Sequence, residues 1–476
     1  MLKKTLVAAG LAALIAAPAA AQYDLATPAP ARFDRAATGR ATLAHLQNLI
    51  RINTQNPPGN EALTAAYFDS VFRTVPGVET HVLNVAPGRA NFVARLRAAR
   101  ATKRPVVIMG HMDVVGADST KWETNAFVPT IRGAHLYGRG AIDDKGMLAA
   151  ALVAMQELAR DRGRMTRDVI FLATAAEEGG PSVGIDSVVE HHRELLGNAE
   201  FALNEGGRIR VRDGAIRTVN IQTTEKVYYN VVATATGTGG HGSVPLPGNA
   251  LAALARAVNR VHEWKPPVRL IETTRLYFNR LAATEPDAEM RAAMQALTSP
   301  GAQIDQAAAT LSREPLHNAV LRAGASLTLL NGGFRANVIP SEGKATFNVR
   351  IIPGEDIRQI VAEMNRVAAE PTVRFELEGD PVPAPAPSPV ATDLFRAMET
   401  SARTMVPNVT VLPFMSTGAT DGAVLRAAGI PTYGILPMPL AEEDELRMHG
   451  DNERVPVAAL GWATEYLYRV LSGVVR

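Results

Sequence analysis

The chain of 476 residues contains no cysteine. It therefore has neither a disulfide nor a cysteine that could carry a lipid. It also lacks an excess of charge of either sign, with 49 Lys and Arg against 47 Asp and Glu. The first 21 residues hold two of the lysines and no acidic residue, which leaves 47 of each sign in the remainder. This balance argues against a nucleic-acid partner and against a polybasic membrane-binding role.

Long apolar runs are also scarce, and the one at the N-terminus is short. Lys3 and Lys4 precede an apolar run at 6–17, which is followed by the small-residue triplet Ala19–Ala21. The pattern is typical of a secretory signal with an Ala-x-Ala cleavage site. The run is shorter than the roughly 20 residues of a transmembrane helix. We therefore expect cleavage after Ala21, a periplasmic or secreted protein, and no membrane anchor after cleavage.

The mature length of about 455 residues is that of two or three domains. An Ala/Pro-rich stretch at 22–35 is expected to be a disordered lead-in. Over 36–225, the runs PVVIMG, DVIFLATA and FALNEG predict buried strands, and GMLAAALVAMQELAR predicts an apolar helix. Such strands need cover on both faces, so we predict an α/β fold with a mostly parallel sheet covered by helices on both faces.

A different pattern begins at about residue 226. Over 226–380, the strands and helices are predicted in the order βαββαβ, which is typical of a small α+β domain. A mostly helical stretch at about 266–319 interrupts this domain. The Pro-rich segment 381–389 predicts a stiff linker, and 390–476 resumes the first pattern. This last part contains His449, a candidate metal ligand whose four companions, described next, all lie in 36–225. The second domain is therefore predicted to be inserted into the first.

Five possible metal ligands lie at the ends of apolar strand-like runs or in Gly-rich loops: His111, Asp143, Glu178, Glu205 and His449. Their segments read RPVVIMGHMD, YGRGAIDDKG, VIFLATAAEEGG, FALNEGG and RMHGDNE. Two histidines and three carboxylates are the inventory needed to hold two divalent cations that share a bridging carboxylate. A carboxylate at a buried strand end also needs a cation or a proton to offset its lost hydration. These residues favour a hydrolase.

A set of motifs, in order along most of the chain, resembles the M20 metallopeptidases, a family of zinc carboxypeptidases, dipeptidases, aminoacylases and related deacylases. The motifs are GHMDVV, GRGAIDDKG, AAEEGG, LNEGG, GTGGHGSVPLPGNA, ANVIP, FNVRIIPGE, STGATDGAVLRAAGIPTYG and MHGDNERV. The layout looks most like the large carboxypeptidase and N-acyl-amino-acid hydrolase branch. The resemblance implies a di-zinc catalytic domain that carries the βαββαβ domain as a lid. It also implies two Zn²⁺ per subunit, replaceable by Co²⁺, and allows a homodimer through the lid domain.

The resemblance assigns a role to each ligand. One zinc would be held by His111 and Glu205, the other by Glu178 and His449, and Asp143 would bridge the two.

Two further residues are catalytic candidates. Asp113 follows His111 by two positions and is expected to reach the second ring nitrogen, which would fix the imidazole tautomer. The resemblance makes Glu177 the general base, which takes a proton from the water between the two metal ions and delivers it to the leaving nitrogen.

Four substrate-binding residues are also implied by the resemblance. His241 would donate to the carbonyl oxygen as negative charge develops on it, and in dimeric members this histidine comes from the partner subunit. Asn337 and Arg350 would bind the amide region and the carboxylate of the substrate, and Gly418 lies in a loop whose backbone N–H groups would also contact it.

The sequence therefore predicts a secreted di-zinc hydrolase that cleaves an amide bond next to a free terminal carboxylate of a peptide, as a carboxypeptidase does. An N-acyl-amino-acid amidase, an aminoacylase or a dipeptidase is the alternative within the same chemistry. A non-catalytic periplasmic binding module is the alternative of another class, and the presence of Glu177 beside a full ligand set speaks against it.

Overall fold

A computed structural model describes residues 33–179, 182–299, 304–382 and 384–476. The predicted signal peptide at 1–21 and most of the predicted lead-in at 22–35 lie outside these ranges. The first helix begins at Arg35, and the Asp34 side chain caps it by accepting a 2.9 Å hydrogen bond from the N–H of Ala37. No helix within the described ranges is both long and apolar enough to cross a membrane.

The strands, in chain order, are β1 (Val78–Ala86), β2 (Arg89–Leu96), β3 (Val106–His111), β4 (Thr130–Arg132), β5 (His135–Tyr137), β6 (Val169–Thr174), β7 (Phe201–Arg212), β8 (Ala215–Glu225), β9 (Val227–Thr236), β10 (Gly240–His241), β11 (Gly324–Gly332), β12 (Val338–Ile339), β13 (Glu342–Ile351), β14 (Val373–Leu377), β15 (Thr410–Ser416), β16 (Thr432–Ala441) and β17 (Arg454–Pro456).

The α-helices are α1 (Arg35–Arg51), α2 (Glu61–Phe72), α3 (Lys145–Ala159), α4 (Ile185–His191), α5 (Ala250–Glu263), α6 (Glu272–Ala282), α7 (Ala288–Thr298), α8 (Ile304–Leu311), α9 (Pro315–Leu321), α10 (Ile357–Ala368), α11 (Asp393–Met405), α12 (Gly422–Ala427), α13 (Glu442–Glu445) and α14 (Val457–Val475). Short 3-10 helices lie at Arg162–Arg164 and Arg193–Leu196.

The central sheet has the order β1-β2-β6-β3-β7-β16-β8-β15. Its middle strands β6, β3, β7 and β16 are parallel to one another. The strand β2 pairs antiparallel with both β1 and β6, and β16 pairs antiparallel with β8. The carboxyl ends of β6, β3 and β7 therefore meet at one edge of the sheet. In a sheet of this kind that edge is the usual place for a ligand site.

Helices cover both faces of the central sheet. In β3, Val106 and Ile108 point into the core shared with α1, α3 and α14, and Val107 and Met109 point into a second core with α4 and α12. Neighbouring residues of a strand face opposite sides, so a strand buried on both sides is apolar throughout. The predicted α/β fold with a mostly parallel sheet is confirmed.

A second sheet, of order β11-β13-β9-β14, is antiparallel throughout. Its helices α5 and α10 share a core with it that includes Val231, Leu254, Phe347 and Met364. In chain order its elements are β9, α5, β11, β13, α10 and β14, with α6 to α9 between α5 and β11. This is the βαββαβ order that the sequence predicts.

The helical stretch between α5 and β11 packs on the central sheet. Phe278 of α6 and Leu311 of α8 lie in one core with Leu412, Phe414 and Met415 of the edge strand β15. The sequence places this stretch within the second domain. In space it covers the β15 edge of the first.

Candidate metal centre

The ends of two parallel strands and the loop before α3 bring three of the candidate ligands together. His111 is the last residue of β3 and lies opposite Thr174, the last residue of β6. Glu178 follows β6 by four residues, and Asp143 lies in the loop before α3. Ligand atoms of His111, Asp143 and Glu178 all lie within 4.8 Å of one another. The sheet topology therefore brings together residues that are far apart in sequence.

Asp143 lies between two imidazoles. Its Oδ1 is 3.0 Å from Nε2 of His111, and its Oδ2 is 3.1 Å from Nε2 of His449. The same nitrogen of His449 is 3.1 Å from Oε1 of Glu178. Each oxygen of one carboxylate thus faces a different histidine, which is the arrangement that a carboxylate shared by two cations requires.

The neighbouring charges in this group stabilise protonated histidines and an ionised Asp143. Burial by itself lowers the pKa of His111, but hydrogen bonds with Asp113 and Asp143 raise it well above its usual value. Contacts with the carboxylates of Asp143 and then Glu178 raise the pKa of His449 to about 10. Burial opposes ionisation of Asp143, yet the two histidines hold its pKa below the usual range.

These residues fit a metal. Glu178 Oε1 is buried, and its contact with His449 lacks the geometry of a hydrogen bond, so no other described residue satisfies it. A divalent cation would supply the positive charge that protonated imidazoles otherwise provide, and it needs neutral histidines and ionised carboxylates as ligands. The donor set of imidazole nitrogens and carboxylate oxygens is one that Zn²⁺ accepts.

Glu205 lies near this group but outside its most compact part. It sits within β7 and is 7% exposed, and burial followed by the negative charge of Asp143 raises its pKa to about 8. A buried carboxyl next to another carboxylate is costly to ionise without a cation. The assignment of Glu205 as a ligand stays a prediction that this environment supports.

Asp113 holds the loop that carries the two adjacent glutamates. Its carboxylate accepts hydrogen bonds from the backbone N–H of Glu177 and of Glu178, both at 3.1 Å, and from Nδ2 of Asn56 at 2.8 Å. Nδ1 of His111 is 2.9 Å from the backbone oxygen of Asp113 and 3.6 Å from its carboxylate. The backbone oxygen of Asp113 is thus the nearer partner of the imidazole, where the sequence pointed to the carboxylate. A proton on Nδ1 leaves Nε2 free to bind a metal.

Glu177 has the environment of a proton acceptor that works near neutral pH. Burial raises its pKa well above the usual value, and the charge of Glu205 raises it further, against the opposing effect of His111. A carboxyl with a raised pKa takes up and returns a proton more readily near pH 7 than an ordinary one.

Two aspartates next to the centre, Asp421 (half-buried) and Asp144 (fully buried), are not among the site residues predicted from the sequence. Asp421 accepts a 2.6 Å hydrogen bond from Oγ1 of Thr174, and burial raises its pKa to about 7. Asp144 is fully buried beneath Gly110, and both of its oxygens lack a hydrogen-bond partner in the described part of the chain. Asp421 follows an apolar strand within STGATDG, the same signal that identified Glu178, so the sequence contained the means to find it.

His241 and Asn337 lie together on the second domain. His241 pairs with Val338 across β10 and β12, and the backbone oxygen of Asn337 accepts a 2.7 Å hydrogen bond from the N–H of Gly242. Nδ1 of His241 is 2.7 Å from Oγ of Ser243. Both predicted residues are exposed, and neither contacts the metal-ligand group through a hydrogen bond or ion pair among the residues described.

Arg350 offers a guanidinium with unused hydrogen-bonding capacity. Its Nε donates to Oδ1 of Asn348 at 2.9 Å, and its Cζ lies 4.8 Å from the ring centre of Tyr228. Nη1 is buried and has no partner within the described ranges. Gly418, in the loop after β15, is exposed, and its N–H donates to Oγ of Ser416 at 3.1 Å.

The comparisons with known proteins agree with this geometry. The profile of peptidase family M20/M25/M40 matches residues 107–473. The chain belongs to this family. It is therefore a metallopeptidase or amidohydrolase of the M20 type, as the motifs indicate.

Several relatives span most of the chain. The probable carboxypeptidase S-like 2 of Dictyostelium discoideum is 28% identical over 375 residues, covering 77% of this chain and 71% of its own length. The human N-fatty-acyl-amino acid synthase/hydrolase PM20D1 is 25% identical over 471 residues, covering 95% of this chain and 91% of its own length. Aminoacylase-1B of Rattus norvegicus is 24% identical over 410 residues, covering 85% of this chain and 88% of its own length.

Solved structures share the fold. The M20 family metallo-carboxypeptidase Sso-CP2 from Sulfolobus solfataricus aligns with a TM-score of 0.67 at 20% identity, over 91% of this chain and 98% of that one. The Bacillus subtilis YXEP protein, described as a dinuclear metal-binding peptidase, aligns with a TM-score of 0.58 at 15% identity, over 91% of this chain and 98% of that one.

Proposed function

We propose that this protein is a secreted di-zinc hydrolase that cleaves an amide bond next to a free terminal carboxylate, as a carboxypeptidase does. The observation that carries the proposal is the position of Asp143, whose two oxygens face His111 and His449 at 3.0 and 3.1 Å. Secretion rests on the N-terminal residues alone.

Five residues would hold the metal ions. His111 and Glu205 would bind one zinc, Glu178 and His449 the other, and Asp143 both. When bound, two zinc ions polarise a carbonyl group and lower the pKa of water, so that hydroxide is available at neutral pH.

Proton transfer belongs to Glu177. Its raised pKa suits it to take a proton from the attacking water and to return that proton to the leaving nitrogen. The carboxylate of Asp113 fixes the backbone N–H groups of residues 177 and 178, so it orients the base and the adjacent ligand together. Asp113 acts as a positioning residue.

Recognition of the free carboxylate would come from Arg350. Its unpartnered Nη1, beside an Nε already held by Asn348, is suited to donate to a carboxylate oxygen of the substrate. The backbone N–H groups near Gly418 would also contact the carboxylate, and Asn337 would bind the amide region of the substrate. His241 would donate to the carbonyl oxygen, either after the lid closes or from a partner subunit in a homodimer.

Hydrolysis of N-acyl amino acids is the second candidate. It is favoured by the match to PM20D1, which extends over 95% of this chain, and by the match to aminoacylase-1B. Both reactions cleave an amide bond and release an amino acid with a free carboxylate, so the proposed roles of Glu177 and Arg350 are the same.

A substrate panel separates the two candidates. Zinc-loaded enzyme is assayed on N-blocked peptides, dipeptides, N-acetyl amino acids and N-fatty-acyl amino acids, each as the free acid and as the C-terminal amide. A carboxypeptidase shows its highest kcat/KM on N-blocked peptides with a free carboxylate. Preference for a fatty-acyl group selects the second candidate, and equal cleavage of acids and amides contradicts both.

A further inference from the structure

A buried ion pair lies directly behind the metal-ligand group. Arg139 is 2% exposed and Glu453 is fully buried, and Nη1 of Arg139 donates to Oε2 of Glu453 at 2.7 Å. The ring of Trp122, itself 7% exposed, lies 5.2 Å from the Cζ of Arg139. The two charged residues are 314 positions apart, so the pair joins distant parts of the chain.

Glu453 holds the loop that carries the bridging aspartate. Its carboxylate also accepts hydrogen bonds from three successive parts of that loop, the backbone N–H groups of Gly140 at 3.1 Å, Ile142 at 2.7 Å and Asp143 at 3.2 Å. One carboxylate therefore fixes the main chain on which Asp143 is mounted.

Arg139 holds two other loops. Its Nη2 donates to the backbone oxygen of Gly450 at 2.9 Å and to that of Gly116 at 3.2 Å, with a longer contact of 3.4 Å to the oxygen of His449. Gly450 directly follows the ligand His449, and Gly116 lies in the loop after His111. A single guanidinium thus connects the loops on both sides of the centre.

We propose that Arg139 and Glu453 are positioning residues that set the placement of Asp143 relative to His449 and so determine the affinity of the centre for metal. The inference rests on the di-zinc centre proposed above. The two ligands come from loops about 300 residues apart, and the pair contacts the backbone of both. Because this hydrogen-bond network already holds the ligands in place, metal binding does not have to offset the free-energy cost of ordering them.

The test uses the variant Glu453→Gln. Its Zn²⁺ affinity is measured on metal-stripped protein by competition with a chromophoric chelator. The amide keeps the shape of the side chain but removes the charge opposite the guanidinium. Its NH₂ group meets N–H donors in either orientation, those of Arg139 and Gly140 in one and those of Ile142 and Asp143 in the other. We expect Zn²⁺ affinity to fall by about 10- to 100-fold, the range seen when partners of metal ligands are removed.

Glu465→Gln is the matched control. Glu465 is also fully buried and accepts from Nε of Arg35 at 2.5 Å and of Arg469 at 2.8 Å, but it lies on α14, away from the ligands. If the Arg139–Glu453 pair only stabilises the fold, both variants lose similar amounts of Tm and both keep wild-type Zn²⁺ affinity. That result overturns the inference. Reduced Zn²⁺ affinity in Glu453→Gln alone supports it.

Arg139→Lys is the second variant, used also if Glu453→Gln does not fold. Lysine keeps the charge opposite Glu453, but a single ammonium cannot reproduce the fixed fork that reaches Gly116 and Gly450 as well. We expect a folded protein with weakened Zn²⁺ binding, and wild-type affinity in this variant overturns the inference. Wild-type protein that binds fewer than two Zn²⁺ would instead contradict the proposed centre itself.

Discussion

The carboxylate specificity of the enzyme is predicted to depend on Arg350. Its guanidinium is held on one side by Asn348 and over the ring of Tyr228, and its buried Nη1 has no partner among the described residues. Arg350→Ala removes this donor and leaves the substrate carboxylate without its positively charged partner. Loss of one member of such a charged pair costs about 2–5 kcal/mol.

We expect the lower end of this range, because Arg350 as a whole is only partly buried. A cost of about 2 kcal/mol corresponds to roughly a 30-fold loss of kcat/KM on free-acid substrates. The ratio of kcat/KM for the free acid over the amide should fall by about the same factor, since neither substrate then finds a cation. Zn²⁺ content should not change, because Arg350 lies on β13 of the second sheet.

The assay is kcat/KM for a matched free-acid and amide substrate, with Arg374→Ala as control. Arg374 lies on β14 of the same sheet, where it is exposed and pairs with Glu376 at 2.7 Å. This variant should behave as wild type. The reasoning is refuted if Arg350→Ala retains the wild-type preference for the free acid, or if Arg374→Ala loses it equally.

Two further predictions concern the base and the protons of the centre. Glu177→Gln should keep its bound zinc while kcat falls at least about 100-fold, the usual scale for loss of a general base. Glu178→Gln should lose bound zinc in addition to activity. A Glu177→Gln enzyme with wild-type kcat would show that another group takes the proton. The pKa of His449 is raised to about 10 in the metal-free protein by Asp143 and Glu178, so this imidazole is protonated at pH 8 and must lose its proton before it binds Zn²⁺. Zinc uptake at pH 8 should therefore release protons, and apparent affinity should weaken as the pH is lowered from about 10. Calorimetric titration in buffers of different ionisation enthalpy measures this release, and a heat that does not depend on the buffer contradicts it.

Much of the fold follows from the sequence because its strands carry an unambiguous pattern. The run VVIM of β3 is buried on both faces, which only a sheet covered on both sides allows. The candidate ligands follow from the same reasoning, since His111 ends one such strand and Glu178 follows the next. Because neighbouring parallel strands end at the same edge of a sheet, the predicted parallel sheet is enough to place these two residues close together.

Other features depend on tertiary packing and could not be read from local pattern. The apolar faces of α6 and α8 could have met either sheet, and only the folded structure shows that Leu412 and Phe414 of β15 receive them. The role of Asp113 depended on how the loop of Glu177 turns back toward it, because the contact is with backbone N–H groups.

The most direct test of the proposed centre is a crystal structure of the zinc-loaded protein with anomalous data collected at the zinc absorption edge. Two peaks are expected on either side of Asp143, about 3.5–4 Å apart, one beside His111 and one beside His449. A single peak, or no peak, in protein that is fully active on the best substrate would contradict a shared carboxylate and with it the di-zinc mechanism.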